Sequence, residues 1–208
     1  MTHDHTFDRA YWENRYGAPG LTWSGAPNAV LVTEAATLKP GRALDIGSGE
    51  GGDALWLAQR GWQVTGIDIS QNALDKARDR LEAIDAAAAS RVEWQQRDLT
   101  EWIPEPATFD LVTSHFMHLP RVNRDILFPA LAAAVAPGGT LLIVGHDVSG
   151  IDIDAHRAHQ VDLMFGIDEV LAGVGGLTVE VAETRKRVDV AMTDIVVRAT
   201  RALEADPA

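Results

Sequence analysis

The 208 residues include no cysteine. Without a thiol there is no disulfide framework, no thiolate zinc site and no cysteine nucleophile. Basic residues are also scarce: 18 Lys and Arg stand against 30 Asp and Glu, a formal net charge of −12. Nucleic-acid binders rely on neutralised phosphates and released counterions, so this imbalance argues against DNA or RNA as the main partner. It disfavours an anionic membrane surface on the same ground. Long apolar runs are missing, and no window approaches the roughly 18 residues that span a bilayer. The opening Met1-Thr2-His3-Asp4-His5 has no basic stretch and no apolar run behind it, so no signal peptide is expected. The expectation is a soluble, cytoplasmic protein with neither nucleic acid nor membrane as partner. A chain of this length buries roughly 70% of its unfolded surface without staples, which fits one domain over 1–208.

Both tyrosines, Tyr11 and Tyr16, fall in the first 23 residues together with Trp12 and Trp23. Followed by Gly17, Pro19, Gly20 and Gly25, they read as a short helix and a loop. Asn28 can cap a helix that Pro40-Gly41 ends. Then the pattern alternates. Ala43–Ile46 is a short apolar strand running into Gly47-Ser48-Gly49-Glu50-Gly51-Gly52, and a helix through Leu55 and Trp56 stops at Gly61. Val64–Ile69 is a second strand, with Ser70 capping a long helix to about Ala89. Arg91–Gln96, Phe109–Ser114 and Thr140–Gly145 are further strands, the last after a Pro137-Gly138-Gly139 turn. Two more, near 178–187 and 191–201, have no helix between them and form an antiparallel hairpin. This predicts an α/β fold: a doubly wound, mostly parallel, seven-stranded sheet of Rossmann-like type, with helices on both faces. Within it, 1–40 is an N-terminal helical cap, 41–145 a cofactor-binding core, 146–176 a substrate-side segment and 177–202 the hairpin.

Open parallel sheets bind ligands beyond the carboxyl ends of their strands. The loop after the first strand is glycine-rich, which lets the backbone turn tightly and approach a ligand, and it opens a helix N-terminus. Its spacing, Gly47-x-Gly49-x-x-Gly52 with Asp68 about 20 residues on, satisfies the dinucleotide fingerprint and by itself points to NAD. Two carboxylates pull away from an NAD-dependent oxidoreductase. Asp45, inside the strand, can hold an ammonium group, which NAD lacks, and Asp98 is placed to accept from an adenine amino group.

Asp45-Ile46-Gly47-Ser48-Gly49-Glu50-Gly51 resembles the first motif of class I S-adenosylmethionine-dependent methyltransferases. Asp68 after Val64-Thr65-Gly66-Ile67, the segment Arg97-Asp98-Leu99, Phe109–Val112 and Ala136–Leu141 are similar to the later motifs, in order. The resemblance implies S-adenosylmethionine as cofactor, with S-adenosylhomocysteine as product. It implies that Asp45 and the Gly47–Ser48–Gly49–Gly51 backbone hold the methionine end. Asp68 would accept the ribose hydroxyls, Ile69 pack on adenine, and Asp98 with the Leu99 backbone read the adenine edge. Ser114 or His115 would offer a carbonyl to the ammonium. Further, Tyr11-Trp12-x-x-Arg15-Tyr16 with Trp23-Ser24-Gly25 resembles the N-terminal segment of the thiopurine and tellurite-resistance methyltransferase group, which folds over the cofactor. That places Trp12, Arg15 and Trp23 against bound ligand.

The implied reaction is methyl transfer to a small-molecule acceptor, with a soft sulfur or chalcogen nucleophile favoured. A protein that holds the cofactor without catalysis is the alternative from another class. His115 and His146, at the ends of the fourth and fifth strands, are the candidate bases, ahead of His118. His156-x-x-His159-x-x-Asp162 reads as a solvated helix face rather than a metal site, and no metal is expected. Arg185-Lys186-Arg187 reads as a solvated strand edge.

Overall fold

The structure is a computed structural model and describes residues 7–147, 163–187 and 193–203. His3, His5, His156, His159 and Asp162 lie outside the described residues, as do parts of the 146–176 segment. In chain order the elements are α1 (Arg9–Gly17), α2 (Ala29–Ala35), β1 (Arg42–Ile46), α3 (Gly52–Gln59), β2 (Gln63–Asp68), α4 (Gln71–Ile84), α5 (Ala86–Ala89) and β3 (Val92–Gln96). They continue with β4 (Phe109–His115), α6 (Arg121–Ala134), β5 (Val135–His146), α7 (Ile167–Gly173), β6 (Thr178–Lys186) and β7 (Thr193–Thr200). Seven strands in the order β3-β2-β1-β4-β5-β7-β6 are parallel at β3/β2, β2/β1 and β4/β5 and antiparallel at β5/β7 and β7/β6. That is the mostly parallel sheet with a C-terminal hairpin expected from the sequence. Among the described residues no helix is long and apolar enough to cross a membrane.

The chain divides into two compact units, 1–102 and 103–208. In the first, Ala43, Leu44, Ile46 and Ile67 are fully buried, which is why β1 and β2 read as continuous apolar runs. α4 turns Ala73, Leu74, Ala77 and Leu81 inward at helical spacing, and the Ser70 hydroxyl accepts from the Ala73 amide at its start. The helix expected to reach Ala89 stops at Ile84. Asp85 departs from helical backbone, and its carboxylate accepts from the Ala88 amide, opening the separate turn α5.

In the second unit β5 begins at Val135, five residues before the expected strand start at Thr140. The Gly138 amide donates to the Arg201 carbonyl and the Arg201 amide donates to that of Gly139, so the proline-glycine stretch is drawn into pairing instead of standing off as a turn. A Cβ on Gly139 would lie 2.9 Å from the Ala136 carbonyl oxygen and 3.0 Å from those of Asp110 and Phe109, so only glycine fits there. Opposite β5, the register sets His146 against Asp194 of β7.

Candidate active site

In the first unit the glycine loop leaves β1 with Gly47, Gly49 and Gly51 at φ of 69, 51 and 77 degrees. The Ser48 amide donates to the Ile67 carbonyl, which ties the loop to β2. Asp68, at the end of β2, accepts from the Gly49 amide through Oδ2 and from the Ser70 amide through Oδ1, each at 2.9 Å. Burial pushes its carboxyl up to about 6; the amides of Ser70, Gly49 and Ile69 work against that, and the charge of Glu13 adds to it. A carboxylate has about four acceptor positions, so these two bonds leave capacity for hydroxyl donors. Asp45 is buried in β1, 2% exposed. The Ser48 hydroxyl is buried too, and among the described residues it has no hydrogen-bond partner. Orphaned buried hydroxyls are costly, about 1–3 kcal/mol, which suits a loop built to meet a polar ligand.

The N-terminal segment is fastened to this loop by carboxylates that the sequence did not single out. Glu50, 4% exposed, accepts from the Thr22 amide at 2.9 Å and the Trp23 amide at 3.1 Å, with Lys76 Nζ 3.4 Å away. Lys76 also donates to the carbonyls of Ala18 and Gly20. Glu13 caps α4, accepting from Ser70 Oγ and from the amides of Gln71 and Asn72. Desolvation raises its carboxyl, but the Asn72 and Gln71 amides and the Ser70 hydroxyl outweigh that and hold it below the usual carboxylate range. Tyr16 is buried; its hydroxyl accepts from Trp23 Nε1 at 3.0 Å and lies 3.1 Å from where a Gly49 Cβ would stand. Burial and the charges of Asp68 and Glu50 keep that phenol protonated.

Of the expected aromatic contacts, Trp12 stacks on Tyr16, while Trp23 is half exposed with the Arg15 guanidinium 4.8 Å above its ring. The Tyr16 hydroxyl faces Gly49 of the loop, and Trp23 meets the loop through its amide, on Glu50. Asp98 is half-buried after β3, and its carboxylate accepts from Thr100 N and Oγ1. Ile69 and Leu99 are half-buried. A Glu50→Ala chain is expected to exchange the Thr22 and Trp23 amide hydrogens about 10–100-fold faster, the scale of hydrogen bonds to a charged group. Unchanged exchange at these two amides would show that Glu50 does not hold the segment.

The second unit carries the other expected residues. Ser114 is buried in β4, and His115 ends that strand. His146 ends β5 with Nδ1 3.1 Å from Asp194 Oδ1, while Arg187 Nε donates to Asp194 Oδ2 at 2.7 Å. Desolvation acts to raise the Asp194 carboxyl; the hydrogen bonds from His146 and Arg187 prevail and keep it below its ordinary value. Arg187 is therefore engaged inside the unit rather than a plain solvated edge.

Residues 43–139 match the family described as "Methyltransferase domain". Over 103 residues the chain is 38% identical to a trans-aconitate 2-methyltransferase of Paracidovorax citrulli, covering 48% of this chain and 36% of that protein. A phosphoethanolamine N-methyltransferase 2 of Caenorhabditis elegans is 36% identical over 120 residues, 56% of this chain and 26% of the relative. The chain spans half or less of the length of the curated relatives it matches. Among solved structures, phosphoethanolamine N-methyltransferase 2 of Haemonchus contortus, held with phosphomonomethylethanolamine and S-adenosylhomocysteine, superposes with a TM-score of 0.67 at 22% identity, over 83% of this chain and 52% of that one.

Proposed function

We propose that residues 1–208 act as one class I S-adenosylmethionine-dependent methyltransferase domain that moves a methyl group from S-adenosylmethionine to a small-molecule acceptor; the match of residues 43–139 to a methyltransferase domain supports this. One observation carries the reading: a buried carboxylate, Asp68, holds the amide of a left-handed glycine, Gly49, beside a buried serine hydroxyl that has no partner among the described residues. The residues fit the cofactor. It carries an ammonium group and ribose hydroxyls, and the loop is flanked by the buried carboxylates of Asp45 and Asp68.

S-adenosylmethionine supplies an electrophilic methyl on a sulfonium sulfur. The chain's part is to bind, orient and exclude water. Asp68 accepts from ribose hydroxyls, Asp45 offsets the ammonium charge, and Asp98 with Leu99 reads the adenine edge. Glu50 and Lys76 keep residues 18–23 closed against the loop, while Tyr16 covers Gly49. Holding a nucleophile in line with the methyl in a dry site lowers the barrier by as much as about 7–11 kcal/mol in well-oriented reactions. The relatives' names, trans-aconitate and phosphoethanolamine, support a small acceptor. Within that class the Tyr11-Trp12-x-x-Arg15-Tyr16 and Trp23-Ser24-Gly25 pattern favours a thiol or a heavier chalcogen. A panel of thiols, amines and carboxylates scored by S-adenosylhomocysteine release tests both levels, and turnover confined to amines or carboxylates would overturn the soft-acceptor assignment.

Cofactor binding is expected to depend on pH through Asp68. Hydroxyl donors favour its ionised form, and burial places its carboxyl at about 6. Affinity should therefore be full at neutral pH and fall as pH drops through that value, about tenfold by one unit below it. Calorimetric titration of wild type against Asp68→Asn checks this: the variant binds more weakly at neutral pH and shows no such slope. A wild-type affinity flat between about pH 5 and 7.5 would remove Asp68 from the cofactor site.

A further inference from the structure

The two candidate bases are not equivalent in the structure, because His146 has a built support. Its partner Asp194 is 5% exposed, and each carboxylate oxygen is committed: Oδ1 to His146 Nδ1 at 3.1 Å, Oδ2 to Arg187 Nε at 2.7 Å. An ionised carboxylate only accepts hydrogen bonds, so the imidazole must present Nδ1 as N–H. The ring plane is held as well. Phe116 stacks on His146 with centroids 4.6 Å apart, and the Arg187 guanidinium lies 4.5 Å from the other partner of that stack, the Phe116 ring. Phe116 does this from a φ of 52 degrees, a conformation that a bulky side chain adopts only when its surroundings impose it. Among the described residues, His118, with its ring 6.3 Å away, and Asp147, the next residue in the chain, join Asp194 and Arg187 as titratable groups near the imidazole.

We infer that Asp194 and Arg187 are positioning residues that lock His146 in the Nδ1–H form, leaving the Nε2 lone pair to take a proton from a ligand bound at this end of the second unit. His146 ends β5 at its carboxyl end, where open parallel sheets take their ligands, and its side chain keeps 20% of its surface exposed. A ligand group that gives up its proton keeps the electron pair of the broken bond, the proton bonds to the Nε2 lone pair, and Asp194 offsets the charge of the imidazolium that results.

Arg187 makes the lock testable by an isosteric change. In Asp194→Asn the guanidinium N–H still requires an acceptor, so the amide oxygen turns to Arg187 and the amide NH₂ faces His146 Nδ1. Two donors cannot share that line, and the ring proton must move to Nε2.

Long-range ¹H–¹⁵N spectra of the full chain labelled in histidine, at about pH 8.5 where imidazole is neutral, read the tautomer directly without any ligand. Wild type should show His146 protonated at Nδ1 over Nε2 by at least about tenfold, the size of one hydrogen bond to a charged group. Asp194→Asn should reverse the preference. In Asp194→Asn with Arg187→Leu the amide can turn back, and Nδ1–H should return. A wild-type ring protonated at Nε2, or an Asp194→Asn ring still protonated at Nδ1, would overturn the lock.

Discussion

Gly49→Val is expected to weaken S-adenosylmethionine binding by at least about 100-fold, equivalent to about 2.7 kcal/mol. Three consequences of one substitution add up. The backbone stands at φ of 51 degrees, where a β-branched residue costs about 1–2 kcal/mol or more. A new Cβ would lie 3.1 Å from the Tyr16 hydroxyl, and the rest of the valine would have to displace that ring from above the loop. Any shift of the loop also draws the Gly49 amide off Asp68 Oδ2, now 2.9 Å away, and misplaces the carboxylate assigned to ribose. Gly61 provides the control. It has a left-handed φ of 92 degrees, but a Cβ there meets only Pro40, at an ordinary 3.8 Å, so Gly61→Val should bear the backbone cost alone and bind like wild type. Calorimetric titration of the two variants, with thermal melts alongside, separates binding from folding. Gly49→Val binding within about threefold of wild type would mean that this loop does not hold the cofactor.

Arg124→Ala should destabilise the second unit strongly, by about 3–5 kcal/mol, a loss that lowers the Tm by about 6–20 °C in a chain of this size. Arg124 is 1% exposed in α6. Its guanidinium pairs with Glu169 of α7 at 2.6 Å, donates to the Met164 carbonyl at 3.1 Å and to the Leu119 carbonyl, and faces the Phe165 ring. Truncation leaves a mostly buried carboxylate and two carbonyls without their donor. Exchanging both partners, Arg124→Met with Glu169→Met, should recover part of the loss, because the unpaired carboxylate is then gone. Circular-dichroism melts of the single and double variants measure it. A single-variant Tm within about 2 °C of wild type would show that the buried arginine is dispensable.

The fold class could be read from residues 42–68, 109–115 and 135–146 because their signals are local. Continuous apolar strands report burial on both faces, and glycines report turns that no other residue makes as cheaply. The glycine loop and Asp68 were legible for the same reason. Helix ends were read less well: Ala86–Ala89 has every propensity to continue α4, yet one carboxylate at Asp85 redirects the backbone. The proline-glycine stretch before Thr140 has the composition of a turn, but pairing with Arg201 makes it strand. Trp12, Trp23 and Arg15 stood out by residue type; that the Tyr16 hydroxyl also faces Gly49 depends on the trajectory of α1, which no local pattern gives.

The sequence by itself determined the order of elements, the glycine loop beside two buried carboxylates and the strand ends where His115 and His146 sit, since each depends on neighbours within a few residues. Only the tertiary structure decided which distant groups meet. Glu13 reaches Ser70 across 57 positions, and Asp194 reaches His146 across 48. No local pattern encodes such pairs. The second follows from the β5/β7 register, and a slip by one residue would put Thr193 or Ile195 opposite His146 and turn the Asp194 carboxylate to the other face of the sheet.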